Sequence, residues 1–366
     1  MQVSLQLDWD GQNRLRRGYF DLYTESLAAA YLMLPYGFSV FGVARLEPPE
    51  RTPDGQNRWM SNQALWVDEL YLTWSAGIID LFGGKIHPRF GTAWDQGPGL
   101  YGTDLGRQYE LTEKLGLGMR LWLSDILGLT RRVGSHVLQG EIFTADRTGL
   151  SGQIGARRWQ QTITSVDPNT GETTERVRML WRNALSTGNA DNAPFASGSV
   201  LSLIGYGIPM PRGQAGYQIS WSQRKPGENA EAAGTAGNET GFSASAFWTI
   251  PLPWRLTAVP YIEYAQQNTA NGFLGQRAQF LTVGGSLRFT PLTLDYAYQQ
   301  RINTDTRAGS HQTNVEQAIS LTYDLYFLAP TPILRPLSLT VGARRVREDG
   351  VAYTGVGAAL GWLWRW

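Results

Sequence analysis

Cysteine is absent from the 366 residues, and histidine occurs only three times. The first absence removes disulfides, thiolate catalysis and cysteine-based metal sites together. The second leaves His87, His136 and His311, far apart in sequence, so no catalytic triad or His-rich metal site suggests itself. His311 stands beside Ser310 but without an evident orienting partner, so an enzyme is not expected. No stretch approaches the roughly 18 uninterrupted apolar residues that a membrane-spanning helix requires. Charge of neither sign dominates, with 32 Lys+Arg against 31 Asp+Glu and a formal net charge of +1, so nothing invites nucleic acid. A continuous apolar leader is missing too: Gln2, Ser4, Gln6 and Asp8 interrupt "MQVSLQLDWDGQ", and Met1 reads as a start placed before a mature sequence whose signal peptide has been removed. The glycines of "GQIGARRWQ" and "GLYGTDLGRQ" have no apolar helix after them, so a phosphate-cradling loop and a bound cofactor are not expected.

What the chain has is alternation. It carries 14 Trp, 16 Tyr, 13 Phe and 42 Gly, at a mean hydropathy of -0.27. In "AGYQISWSQR", Ala215, Tyr217, Ile219 and Trp221 share one face, and Gly216, Gln218, Ser220 and Ser222 the other. The same split separates Leu292, Leu294, Tyr296 and Tyr298 from Thr293, Asp295, Ala297 and Gln299, and Val3, Leu5, Leu7 and Trp9 from Ser4, Gln6 and Asp8. A period of two over such lengths predicts strands with different environments on their two sides. Sixteen are expected, over 2–9, 18–34, 37–46, 63–75, 77–87, 114–124, 130–145, 197–208, 212–224, 240–249, 254–267, 275–289, 291–301, 311–327, 334–346 and 351–366. Short connections such as "PYG", "SAG" and "SDILG" alternate with long polar ones such as 88–113 and 146–196.

An even strand count, with long loops at one end and short turns at the other, predicts an all-β fold. It is a single domain over 1–366: a 16-stranded antiparallel transmembrane β-barrel with short periplasmic turns and long extracellular loops. The physical reason is strict. An unpaired backbone amide or carbonyl in a bilayer costs several kcal/mol, so a spanning sheet closes on itself. Closure puts apolar side chains outward and polar ones inward, which reconciles a membrane protein with a negative mean hydropathy. Trp362, Trp364 and Trp366 of the terminal "GWLWRW", with Trp248 and Trp254 beside a short turn, are then expected at the lipid interface.

A final strand of alternating hydrophobics closed by an aromatic residue, here Trp366, resembles the assembly signal of Gram-negative outer-membrane barrels. The stretch from Val67 to Gly118, in which "GK..P.FG" leads into a long loop, is similar in style to proteobacterial sixteen-stranded porins. The resemblance implies an outer-membrane location, contact with outer-membrane lipids and delivery by the barrel assembly machinery through the last strand. Homo-oligomers or an envelope protein partner are compatible with it.

Strand parity assigns Glu25, Arg45, Glu69, Lys85, Arg120, Glu141, Glu263, Arg288, Asp295, Arg301, Glu316, Asp324, Arg344 and Arg365 to the lumen, seven acidic and seven basic. Facing charges of opposite sign create a transverse field with modest ion selectivity; on the plainer reading they are simply solvated or paired with neighbours. Two loops exceed the length at which a structureless connection is common. Residues 88–113 offer Arg89, Asp95, Asp104 and Arg107 as constriction candidates, and 146–196 offers two β-arms about "DPNTGE". Each either folds into the pore or stays outside as a lid. The function expected is passive diffusion of small hydrophilic solutes. Its rivals are a specific barrel for an exopolysaccharide or siderophore, and a plugged barrel scaffolding a partner protein.

Overall fold

The computed structural model describes residues 2–11, 18–48, 56–152, 154, 159–166, 173–180, 190, 196–227, 230–231, 234–328 and 334–364. Sixteen strands form its wall. In chain order they are β1 (Gln2–Asp10), β2 (Tyr19–Met33), β3 (Phe38–Glu47), β4 (Ala64–Ala76), β5 (Ile79–Ile86), β6 (Lys114–Trp122), β7 (Ser135–Ala145) and β8 (Gly198–Pro209). There follow β9 (Gln214–Arg224), β10 (Glu239–Pro251), β11 (Thr257–Asn268), β12 (Gln276–Phe289), β13 (Leu292–Asp305), β14 (Ser310–Asp324), β15 (Leu337–Glu348) and β16 (Val351–Leu363). Each pairs antiparallel with its neighbours in sequence, and β1 closes the ring by pairing β16 from Gln2↔Leu363 to Asp10↔Gly355. The wall is thus a closed antiparallel barrel. A two-residue strand, Arg58–Trp59, adds in parallel to the loop end of β2.

Alternation sorts the side chains as the bilayer argument requires. On β14 the outward Ile319 and Leu321 are exposed while the intervening Ala318 and Ser320 are buried within the lumen. On β1 the outward Leu5, Leu7 and Trp9 are exposed, and Gln6, Asp8 and Asp10 are buried. Aromatics mark the short-turn end. Tyr36 and Trp254 sit at positive φ, 62° and 59°, behind a proline in matching turns, and project with 91% and 84% of their surface exposed. Trp248 donates its Nε1 proton to the Arg212 carbonyl at 2.8 Å, and the rings of Trp362 and Trp364 lie 5.6 Å apart. Trp366 and Arg365 fall outside the described residues.

Several connections differ from expectation. The segment read as a short turn and strand start, 124–134, holds two helical turns, Leu123–Ile126 and Thr130–Val133, so β7 begins at Ser135 rather than at 130. Strand β13 runs on to Asp305, four residues past the expected end at 301. In the long loop the two arms pair antiparallel from Trp159↔Leu180 to Val166↔Thr173, and the "DPNTGE" turn between them lies outside the described residues.

A charge on the outer face of such a wall loses its hydration, whereas one on the inner face keeps it. Ile319→Arg, toward the middle of the apolar band, is expected to cost about 2–4 kcal/mol. Thr322→Lys, facing the lumen, is expected to cost less than half of that, roughly 1 kcal/mol or below; reversible folding into lipid vesicles along a urea series measures both.

Candidate functional site

Residues 88–113 enter the barrel and run along its inner wall. The backbone N–H of Arg89 donates to Glu141 on β7 at 2.8 Å, and its carbonyl accepts from Ser220 and Gln218 on β9 at 3.0 and 3.2 Å. On β11, Glu263 accepts from the Thr92 N–H and hydroxyl, both at 2.6 Å, and from the hydroxyl of Tyr109. Leu100 N–H donates to Ser320 on β14 at 3.2 Å. Gln299 on β13 holds both the Leu105 N–H, at 3.0 Å, and the Tyr101 carbonyl, at 2.7 Å. The Tyr101 hydroxyl reaches Asp8 on β1 at 2.8 Å, Asp104 pairs with Arg344 on β15 at 2.7 Å, and Arg107 reaches Glu25 on β2 at 2.5 Å.

Close approach needs wall positions without side chains. At Gly357 on β16 an added Cβ would stand 2.1 Å from both the Tyr101 hydroxyl and the Asp8 carboxylate. At Gly241 on β10 it would meet the Phe90 ring at 2.7 Å. Between the loop and the wall lies an apolar cluster of Phe90, Tyr109, Leu111, Phe143, Tyr261 and Phe280. Glu141, Glu263 and Asp8 are thus each satisfied by more than one donor, the condition under which burying charge is tolerated.

The predicted lumen residues fall into distinct settings. Glu141, Glu263, Asp295, Glu316 and Arg344 are engaged by the loop or by wall partners: Glu316 stands 3.6 Å from Arg344, and Asp295 accepts from Ser286 at 2.5 Å. Arg120 lies over the Phe82 ring at 4.4 Å and donates to Gln139 at 2.9 Å. Arg301 donates to Gln108 of the loop at 2.6 Å and to Asn303 at 2.9 Å. Arg288 lines a cavity on the short-turn side of the loop, and Asp324 lies exposed at the short-turn end of β14. Arg45 pairs with Asp68 at 2.8 Å and lies 3.8 Å from Glu25, and Glu69 is half-buried on β4. The loop residues Arg89 and Asp95 are exposed within the barrel.

Lys85 is a correction. It shares the face of Leu81 and Gly83, and its ammonium is fully buried, 3.0 Å from Glu113 and 3.3 Å from Asp146, with the Leu150 carbonyl at 3.1 Å. It ties the 146–151 segment to the loop end of β5 and does not line the pore. Asp68, which parity placed outward, is a further residue that sequence missed. A bulge opposite Val43 and Ala44 lets Asp68 and Glu69 both turn inward, and Asp68 also meets His87 at 3.5 Å.

Spaces remain on both sides of the loop. Toward the short turns, one cavity of about 680 Å3 is lined by Asp95, Gln96, Tyr261, Ser286, Arg288 and Asp295. Another of about 470 Å3 is lined by Tyr71, Arg89, Gln96, Arg120, Gln139 and Gln218. Toward the long loops, a cavity of about 300 Å3 is lined by Gln108, Gln267, Gln276, Arg301 and Asn303 among others. Among the described residues no group of carboxylates and histidines is placed to hold a metal ion.

Comparison of folds places the barrel among known structures. Pseudomonas putida OprB superposes with a TM-score of 0.59 at 9% identity, covering 99% of this chain and 92% of that one. Vibrio cholerae OmpT, an outer-membrane protein, gives 0.52 at 10% identity over 99% and 97%. The Acinetobacter baumannii outer-membrane channel DcaP gives 0.51 at 13% identity over 99% and 94%. The fold is that of the outer-membrane porins. No family model matches the sequence, and no curated protein is similar enough in sequence to be matched.

One loop group, Glu110, titrates within an accessible range. Burial pushes Glu110 up to about 7, against the opposing pull of His87, Arg45 and Arg107. Burial alone would lower His87, but the Asp68 carboxylate 3.5 Å away holds it above the ordinary imidazole value. Raising pH through 7 therefore adds negative charge at Glu110. Cation preference, read from reversal potentials under a KCl gradient, is expected to rise between about pH 6 and 8, and Glu110→Gln is expected to flatten that rise substantially.

Proposed function

We propose that the protein is a channel of the Gram-negative outer membrane through which small hydrophilic solutes diffuse, with residues 88–113 setting the width of the path. The observation that carries this reading is the pair of polar spaces above and below a loop fastened to the wall. A loop held by backbone and side-chain bonds from β7 round to β2 is a fixed part of the bore. The charged side chains left exposed around it, Arg89, Asp95 and Arg107, keep those spaces wet. A sixteen-stranded barrel without such a loop would enclose a wide aqueous channel.

The passage in this reading runs past the free face of the loop, through the cavities on its short-turn and long-loop sides. Asp95 borders it on the loop with Arg288 across the larger cavity, while Arg107, paired with Glu25 at 2.5 Å, fastens the loop to β2. Opposite charges face each other across the narrow zone, so the selectivity expected is by size first and by charge second. The outer-membrane setting is supported by the exposed apolar face of the strands and by the porin fold, and it supplies the lipid partner and the solute partner together.

Single-channel recording in a planar bilayer tests the reading. Steady open steps are expected from the intact protein, and deletion of residues 92–110 is expected to enlarge them roughly twofold or more. Silence that persists after each long loop is removed would refute the channel and leave a plugged scaffold.

A further inference from the structure

We infer that the outer face of β14 and β15, at their long-loop ends, is a docking site for a phosphate-bearing lipid headgroup of the outer leaflet. Strand β15 changes character along its outward face. Leu339, Val341 and Ala343 come first, and Arg345 and Arg347 follow at the loop end, all five exposed. The neighbouring outward residues change at the same height. On β14, Ile319 and Leu321 give way to Gln317, Thr313 and His311, and the register sets Arg345 beside Gln317 and Arg347 beside Val315. The apolar band thus ends in a basic step where the hydrocarbon gives way to headgroups. At the loop ends of β1, β2 and β9, by contrast, the outward residues are the aromatics Trp9, Phe20 and Trp221.

Among the described residues neither Arg345 nor Arg347 has a carboxylate within ion-pair reach. Between the strands opens a cavity of about 520 Å3, lined by His311, Thr313, Val315, Arg347, Asp349 and Gly350. The His311 ring nitrogens lie 3.3 and 3.4 Å from the hydroxyls of Thr304 and Thr313, so donors of two further kinds surround the cation. Asp349 is the acidic residue in the lining, and Glu348 turns inward to Asn314 at 3.4 Å. Two unpaired guanidinium groups on one strand face, two residues apart, match the planar bidentate geometry that phosphate oxygens accept. Their position beside an apolar band selects a lipid headgroup over a free anion, because the acyl chains and the phosphate are bound by adjoining parts of one surface.

The site rests on the membrane-barrel reading above, and its test separates the two. The folded protein in detergent micelles is titrated with lipid A, a bisphosphorylated glycolipid, and with the same lipid after phosphatase treatment. Bound lipid is counted by native mass spectrometry. The intact protein is expected to prefer the phosphorylated form, and Arg345→Gln with Arg347→Gln to weaken that binding by about tenfold while single-channel conductance stays unchanged. Asp349→Asn is expected to tighten it. Equal binding of the two lipids, or of the phosphorylated lipid to the intact protein and the double variant, would overturn the site and leave the channel untouched. Competition by inorganic phosphate alone at equal concentration would show an anion site without lipid specificity and would overturn it as well. Failure of the protein to insert into bilayers would instead strike the membrane reading.

Discussion

A sheet whose every edge is paired has to enclose a space. That constraint, imposed by the cost of an unpaired peptide group away from water, organises the whole molecule. Pairing of β1 with β16 closes the ring, and from closure follow an apolar outer face, a polar inner one and an interior that loops alone can fill. The chain is polar on average because half of each strand faces inward, and aromatics such as Tyr36 and Trp254 stand exposed at its short-turn end.

The interior is where the sequence departs from the simplest barrel. A loop pressed against the inner wall must satisfy its own backbone groups there, and the wall answers with carboxylates and amides. Glu141, Glu263 and Gln299 accept from loop N–H groups, and Gln218 and Gln299 donate to loop carbonyls. These groups look like pore charges when read along their strands. Once the loop is in place they are structural, and the charges left around the open spaces are fewer, among them Arg89 and Asp95 of the loop and Arg120 and Arg288 of the wall. Burial of Glu263 and Asp8 is sustainable because each has several donors, and removing a donor set would leave a desolvated charge behind.

How much of this was readable follows from the range of the interactions. The sixteen strands were legible because a two-residue period is a local signal, and polar loops and proline turns punctuate it. Asp68 was not, because a single extra residue opposite Val43 and Ala44 breaks the parity that assigned its face. Lys85 was misread because its side chain is claimed by Glu113 and Asp146, which come from later connections. The inward course of 88–113 rests on partners as distant as Asp104 with Arg344 and Tyr101 with Asp8. No local pattern encodes such pairs. The glycines that admit the loop, Gly357 and Gly241, looked like ordinary strand glycines until its side chains were found against them.

The central claim is that the path for solutes runs past the face of this loop. Because the chain has no cysteine, one can be introduced alone: Asp95→Cys places a thiol at an exposed loop position on the wall of the larger cavity. Single-channel current is recorded while a charged methanethiosulfonate reagent is added. The account predicts a stepwise and irreversible fall in current as the thiol reacts. Current that stays at its full value after mass spectrometry shows complete modification would contradict it.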